Sequence, residues 1–143
     1  MTDSLSRRTL LKTSLPVITA AGFGGITIGC GGANIPSTVV HGGQVSALAE
    51  GAPQRLQSYD VFVVRTADGV AAISGRCTHA GCGVEPTSDG FHCGCHGSDF
   101  ASDGTVTHGP ADRDLAWYAV TIEDGEIVVD PTQEVAKGTY TPL

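Results

Sequence analysis

Basic residues are scarce in this chain: 8 Lys and Arg stand against 15 Asp and Glu, a formal net charge of −7. Three of the eight, Arg7, Arg8 and Lys12, fall in the first 29 residues beside a single acid, Asp3, which leaves 5 basic and 14 acidic groups downstream and a charge of −9 there. Such poverty argues against nucleic acid as a partner, because that needs clustered Lys and Arg. An acidic body of this size instead suits docking to a basic protein. Helical patterning is equally thin, since no window carries an apolar stripe longer than about three turns. Length is short as well: 143 residues hold one domain and a leader, with no room for two domains.

What is present begins with the leader. Residues 6–12 read SRRTLLK, which resembles a twin-arginine export signal, and residues 13–29 that follow are uncharged and broken by Pro16 and four glycines. They are moderately apolar, as a signal core is, and short for a membrane span. ITIGC (26–30) resembles a lipobox, with small Gly29 before Cys30 and Thr27 where Leu is usual. Cleavage there would leave Cys30 as a lipidated N-terminus, and more than one acyl chain gives stable anchoring. The alternative is an uncleaved helix acting as the anchor. Residues 31–44 (GGANIPSTVVHGGQ) read as a linker, with a coil span of roughly 20 Å. The organisation expected is therefore a signal or anchor over 1–29, a lipidation site and linker over 30–44, and a folded domain over 45–143.

From residue 45 the pattern is all-β. Asp-Gly pairs at 68–69, 89–90, 103–104 and 124–125 separate short apolar runs, the strongest local signal for a hairpin. DVFVVRT (60–66) is expected to pair with VAAIS (70–74), and AWYAVTI (116–122) with EIVVD (126–130). Trp117 and Tyr118 read as strand residues, Trp117 facing the core. This spacing predicts a small antiparallel β sandwich or barrel.

Four of the five cysteines lie in two loops, CTHAGC (77–82) and CGCHGS (93–98), and the fifth is Cys30. Each loop offers a Cys and a His, Cys77 with His79 and Cys93 with His96, plus a spare cysteine, Cys82 or Cys95. Two thiolates and two imidazoles suit either a tetrahedral zinc ion or an iron–sulfur cluster with mixed ligands. Zinc would leave Cys82 and Cys95 without a role.

The two loops closely resemble those of the Rieske iron–sulfur proteins, especially the disulfide-containing type of cytochrome bc complexes. The resemblance implies one 2Fe–2S cluster, with Cys77 and Cys93 on one iron and His79 and His96 on the other. It further implies a Cys82–Cys95 disulfide between the loops, and a cluster-binding subdomain, at about 75–112, inserted in a basal β domain. Ser98 matches the family serine that donates to a bridging sulfur. Phe100 stands where high-potential members carry a donating Tyr, so a lower potential is expected. Gly109-Pro110-Ala111 matches the loop that covers the cluster from a third side. Ala80 replaces a Leu found beside the quinol, and Gly94 replaces a usual Pro; both weaken the case for quinol docking more than that for cluster binding. His41, His92 and His108 do not fit ligand spacing and read as surface or loop residues.

Replacing two thiolates by neutral imidazoles removes negative charge and raises the potential into about −150 to +300 mV. A ligating imidazole keeps one ring N–H whose acidity follows the charge of the metal, so electron and proton uptake become coupled. The function implied is a membrane-tethered electron carrier, the iron–sulfur subunit of a quinol-oxidising complex. Its donor would be a quinol or cytochrome b-like protein in the membrane and its acceptor a cytochrome c-like protein. Two alternatives stand beside it: the small Rieske subunit of another exported oxidoreductase, such as an arsenite-oxidase-like enzyme, and a non-redox zinc-binding domain. A full Rieske oxygenase is not expected, since 143 residues leave no room for a second domain to hold a mononuclear iron.

Overall fold

The computed structural model describes residues 39–56 and 59–143. Among these, the longest strands form around the Asp-Gly turns. β3 (Val61–Thr66) and β4 (Gly69–Ser74) pair antiparallel with Thr66 opposite Gly69. β9 (Trp117–Glu123) and β10 (Glu126–Val135) pair around Asp124 and Gly125, both in the left-handed region at φ 50° and 79°. Two positive φ angles in a two-residue connection define the turn whose twist matches that of the flanking strands, and Asp-Gly is the pair that tolerates them. The other two Asp-Gly pairs also join neighbours: β5 (Glu85–Pro86) to β6 (Gly90–Cys93), and β7 (Ser98–Ala101) to β8 (Val106–His108).

With β1 (Val40–Gln44) and β2 (Gln54–Leu56), these strands make two antiparallel sheets. The larger has the order β1-β10-β9-β4-β3-β2 and the smaller the order β5-β6-β7-β8. The smaller sheet lies, in sequence, wholly between β4 and β9, which are themselves hydrogen-bonded neighbours. A single turn of 3-10 helix, Val45–Ala47, is the helical element among the described residues. The all-β expectation holds.

β4 explains how one chain supports two layers. All six of its residues are buried. Ala71 and Ile73 join Phe62, Phe91, Phe100, Leu115 and Trp117 in one apolar cluster, while Val70 and Ala72 join Val61, Val63, Ile127 and Val129 in the other. The alternation of a strand thus feeds opposite faces, each roughly 1.5–3 kcal/mol per fully buried Val, Ile or Phe side chain. Trp117, buried as expected, donates its indole N–H to the Asp103 carbonyl at 2.9 Å. The cluster containing Trp117 and Phe91 also holds Cys77 and Cys93.

Two elements differ from the sequence reading. β1 falls inside the stretch read as linker: Val40 is buried and the strand pairs with β10, with a register shift between His41 and Gly43. Gly and small polar residues carry no strand signal of their own here, and the partner strand supplies the order. β10 runs five residues past Asp130, because its pairing with β9 resumes at Glu134 after a bulge around Pro131. Proline lacks the N–H for a regular ladder and is accommodated at such irregularities.

Candidate metal centre

The two cysteine loops have the same closure. Gly81 donates its N–H to the Cys77 carbonyl at 2.8 Å, and Gly97 donates to the Cys93 carbonyl at 2.9 Å. Both glycines are left-handed, at φ 74° and 78°. Each loop is therefore one tight turn from a cysteine to the glycine four residues on, a turn that glycine makes without steric cost. His79 and His96 sit inside these turns, so the spacings Cys-x-His and Cys-x-x-His deliver both rings to one tip.

The turns sort the donors by chemistry. Cys77 and Cys93 are buried and unbridged. His79 and His96 are exposed, with ring centroids 4.8 Å apart and planes at 89°. Burial pushes the Cys77 thiol up, but the backbone N–H of His79, the Cys93 side chain, the Ser98 hydroxyl and the Ala80 N–H outweigh it and hold the thiol below its ordinary range. Donors aimed at one sulfur favour its thiolate, the form that binds metal.

Cys82 and Cys95 form a disulfide that ties the loops together. Its sulfurs and that of Cys93 lie within 4.8 Å of one another. That trio is not a ligand set, since two of the three are bonded to each other. The disulfide also gives the spare cysteines the role that zinc would have denied them.

Support comes from beneath and from a third side. Ser98 is fully buried and its Oγ accepts the Ala111 N–H at 3.0 Å, which pins the Gly109-Pro110-Ala111 loop under the tip. Thr78, within the first loop, donates its hydroxyl to the Arg113 carbonyl at 2.6 Å and ties that loop to the same segment. Arg55 of β2 reaches the Val84 carbonyl and, at 3.0 Å, the Glu85 carboxylate, while its guanidinium stacks 4.6 Å from the centre of the Phe62 ring. Neither Thr78 nor Arg55 was legible in the sequence, because each acts across about 30 residues with no local motif to mark it. Phe100 is buried in the apolar cluster with Cys77 and Cys93. Of the other histidines, His41 on β1 pairs with Glu126 on β10, and His92 and His108 lie at exposed positions of β6 and β8. Cys30 and the export signal lie outside the described residues.

A family profile described as the Rieske [2Fe-2S] domain matches residues 38–119, more than half of the chain. The chain belongs to this family. Curated relatives include the cytochrome b6-f complex iron-sulfur subunit of Chlorobaculum tepidum, 42% identical over 71 residues, covering 48% of this chain and 39% of the relative. The cytochrome b6-f complex iron-sulfur subunit 2 of Nostoc sp. strain PCC 7120 is 41% identical over 64 residues, covering 43% and 36%. The match thus spans well under half the length of either relative. Among solved structures, the cyanobacterial plasma membrane Rieske protein PetC3 from Synechocystis PCC 6803 superposes with a TM-score of 0.52 and 35% identity, covering 63% of this chain and 97% of that one.

Membership in the Rieske family brings one 2Fe–2S cluster, and the tip suits it. Two buried thiols and two exposed imidazoles on paired turns are the donor types that an unequal pair of irons takes. The first loop lies between β4 of the larger sheet and β5 of the smaller, and the second lies between β6 and β7 of the smaller sheet.

Proposed function

We propose that this chain is a membrane-tethered one-electron carrier, the iron–sulfur subunit of a quinol-oxidising complex. It takes electrons from a quinol or cytochrome b-like donor and passes them to a cytochrome c-like acceptor. The observation that carries the reading is the sorting of donors at the tip, thiols inward and imidazoles outward. In this reading Cys77 and Cys93 hold the inner iron and His79 and His96 the outer one. The cluster supplies a one-electron couple at a potential raised by its two neutral ligands.

The protein's own residues do the rest. Burial of Cys77 and Cys93 keeps water from the sulfur side. The Cys82–Cys95 bridge ties the loops to each other and the Thr78 hydrogen bond ties the first loop to Arg113, so little rearrangement accompanies a change of charge. The free ring nitrogen of His79 or His96 faces solvent, where it can donate a hydrogen bond to a bound quinol and hold the proton that the electron leaves behind. The twin-arginine leader, which serves cargo folded before export, and a lipidated Cys30 would place this head on the outer face of the cytoplasmic membrane. Replacing Cys30 by Ala is expected to release the protein from the membrane fraction, and full retention would count against lipidation.

A second reading, the small Rieske subunit of an arsenite-oxidase-like enzyme, is favoured by Phe100 in place of the donating Tyr. Both readings require the mixed-ligand cluster. The dithionite-reduced protein is expected to give the low-average-g electron paramagnetic resonance signal of nitrogen and sulfur ligation. A colourless, zinc-loaded protein without that signal would overturn both.

A further inference from the structure

The sheet that carries the second cysteine loop has an outward face with a composition of its own. In β6 and β7, Phe91, Cys93, Ser98 and Phe100 are buried, which turns His92 and Asp99 to solvent. The register then carries a single row across all four strands. Glu85 lies opposite His92, His92 opposite Asp99, and Asp99 opposite His108. Directly paired residues on antiparallel strands share a face, with Cβ atoms about 4.5–5.5 Å apart.

Three features set this row apart from an ordinary solvated surface. His92 Nδ1 and Asp99 Oδ1 are already 2.6 Å apart, and each side chain is 47% exposed, so both are held together yet reachable. Glu85 is engaged by Arg55 at 3.0 Å, which leaves the two imidazoles to flank one carboxylate. The pairing of β7 with β8 shifts between Asp99 and Phe100, and such bulges re-aim the neighbouring side chains.

We propose that His92, Asp99 and His108 form a site for a divalent transition-metal ion of borderline softness, with zinc as its representative. Two imidazole nitrogens and one carboxylate oxygen are a donor set that zinc takes, with water in the open position. The three donors are not gathered within 4.8 Å of one another without an ion. His108 is exposed and stands directly opposite Asp99, so in this site its side chain would turn toward that carboxylate. The site is independent of the electron-carrier reading, since it uses none of the residues at the tip.

The test is a calorimetric titration of zinc into the full chain with its iron–sulfur cluster in place, so that Cys77, Cys93, His79 and His96 are already engaged. One ion per chain is expected. His92→Gln and His108→Gln should each weaken binding roughly tenfold or more, whereas His41→Gln, beside Glu126 on the other sheet, should leave it unchanged. Because His92 adjoins Cys93, the visible spectrum of that variant is checked for an intact cluster; His108, two strands from β6, carries the test without that concern. Absence of a bound ion, undiminished binding in His108→Gln, or equal loss in His41→Gln overturns the site.

Discussion

Ser98 is a fully buried position where a single hydroxyl serves two neighbours. It accepts the Ala111 N–H and, being fully buried, has its own proton left for the Cys77 side. Ser98→Ala removes both functions at once. An unpaired buried N–H costs about 1–3 kcal/mol, so the urea midpoint should fall. Loss of a donor worth about 1 kcal/mol more in the reduced state should lower the potential by about 40 mV. Phe100→Tyr adds a donor in the same buried cluster and should raise the potential by a similar amount. Redox titration of both variants checks the pair of signs, and a potential that ignores either substitution contradicts the donor argument. At this scale the pairing of Cys82 with Cys95, which the family resemblance implied, is present, and the burial of Cys77 and Cys93 beneath exposed His79 and His96 follows from one tight turn in each loop. The role of Thr78 was not legible in the sequence, since its partner Arg113 is 35 residues away and only the fold brings them together.

At the scale of elements, the four Asp-Gly pairs marked four real junctions, because positive φ is a local demand that only a few residues meet. β1 escaped notice for the opposite reason: its order comes from β10, not from its own glycines. Charges escaped too, and one group of them has a consequence for stability. Asp103 accepts the Thr105 N–H at the turn between β7 and β8, while Lys137 from the C-terminal segment bonds both Thr105 and Asp114 at 2.7 Å. The hydrogen bonds of Thr105 hold the Asp103 carboxyl below the usual carboxylate range, and the Lys137 ammonium, with the Val106 N–H, does the same for Asp114. Asp114 in turn raises Lys137. A lowered carboxyl contributes stability that is complete above its unfolded pKa of about 3.9 and is lost as pH falls through the folded value; a raised ammonium contributes below about 10.4 and loses it as pH rises through the folded value. Urea midpoints should therefore form a plateau between about pH 5 and 10 and fall on both sides. Lys137→Met should remove the alkaline flank's Lys137 share and shrink the acid flank by the Asp114 share, leaving the Asp103 share that Thr105 sustains; a variant with unchanged flanks would show that the strap does not operate.

For the whole molecule, the decisive property is charge. Residues 39–143 hold 5 Lys and Arg against 14 Asp and Glu, and four of the five cations already face acids: Arg55 with Asp60 and Glu85, Arg76 with Asp60, Arg113 with Asp112, and Lys137 with Asp114. Little positive charge remains to offset the field at a distance. In the proposed electron-carrier reading, electrons leave at the imidazole tip and an acceptor finds that tip by diffusion. An acidic body speeds the encounter with a basic acceptor and slows it with an acidic one. The second-order rate of electron transfer to a basic c-type cytochrome should fall about tenfold or more as ionic strength rises from about 10 mM to about 300 mM, because the screening length shrinks from about 30 Å to under 10 Å. Stopped-flow oxidation of the reduced protein across that range measures it. A rate that climbs with salt would mean that the cytochrome meets the local Arg76 and Arg113 groups beside the first loop rather than the field of the whole protein, and the acceptor sought should then be acidic.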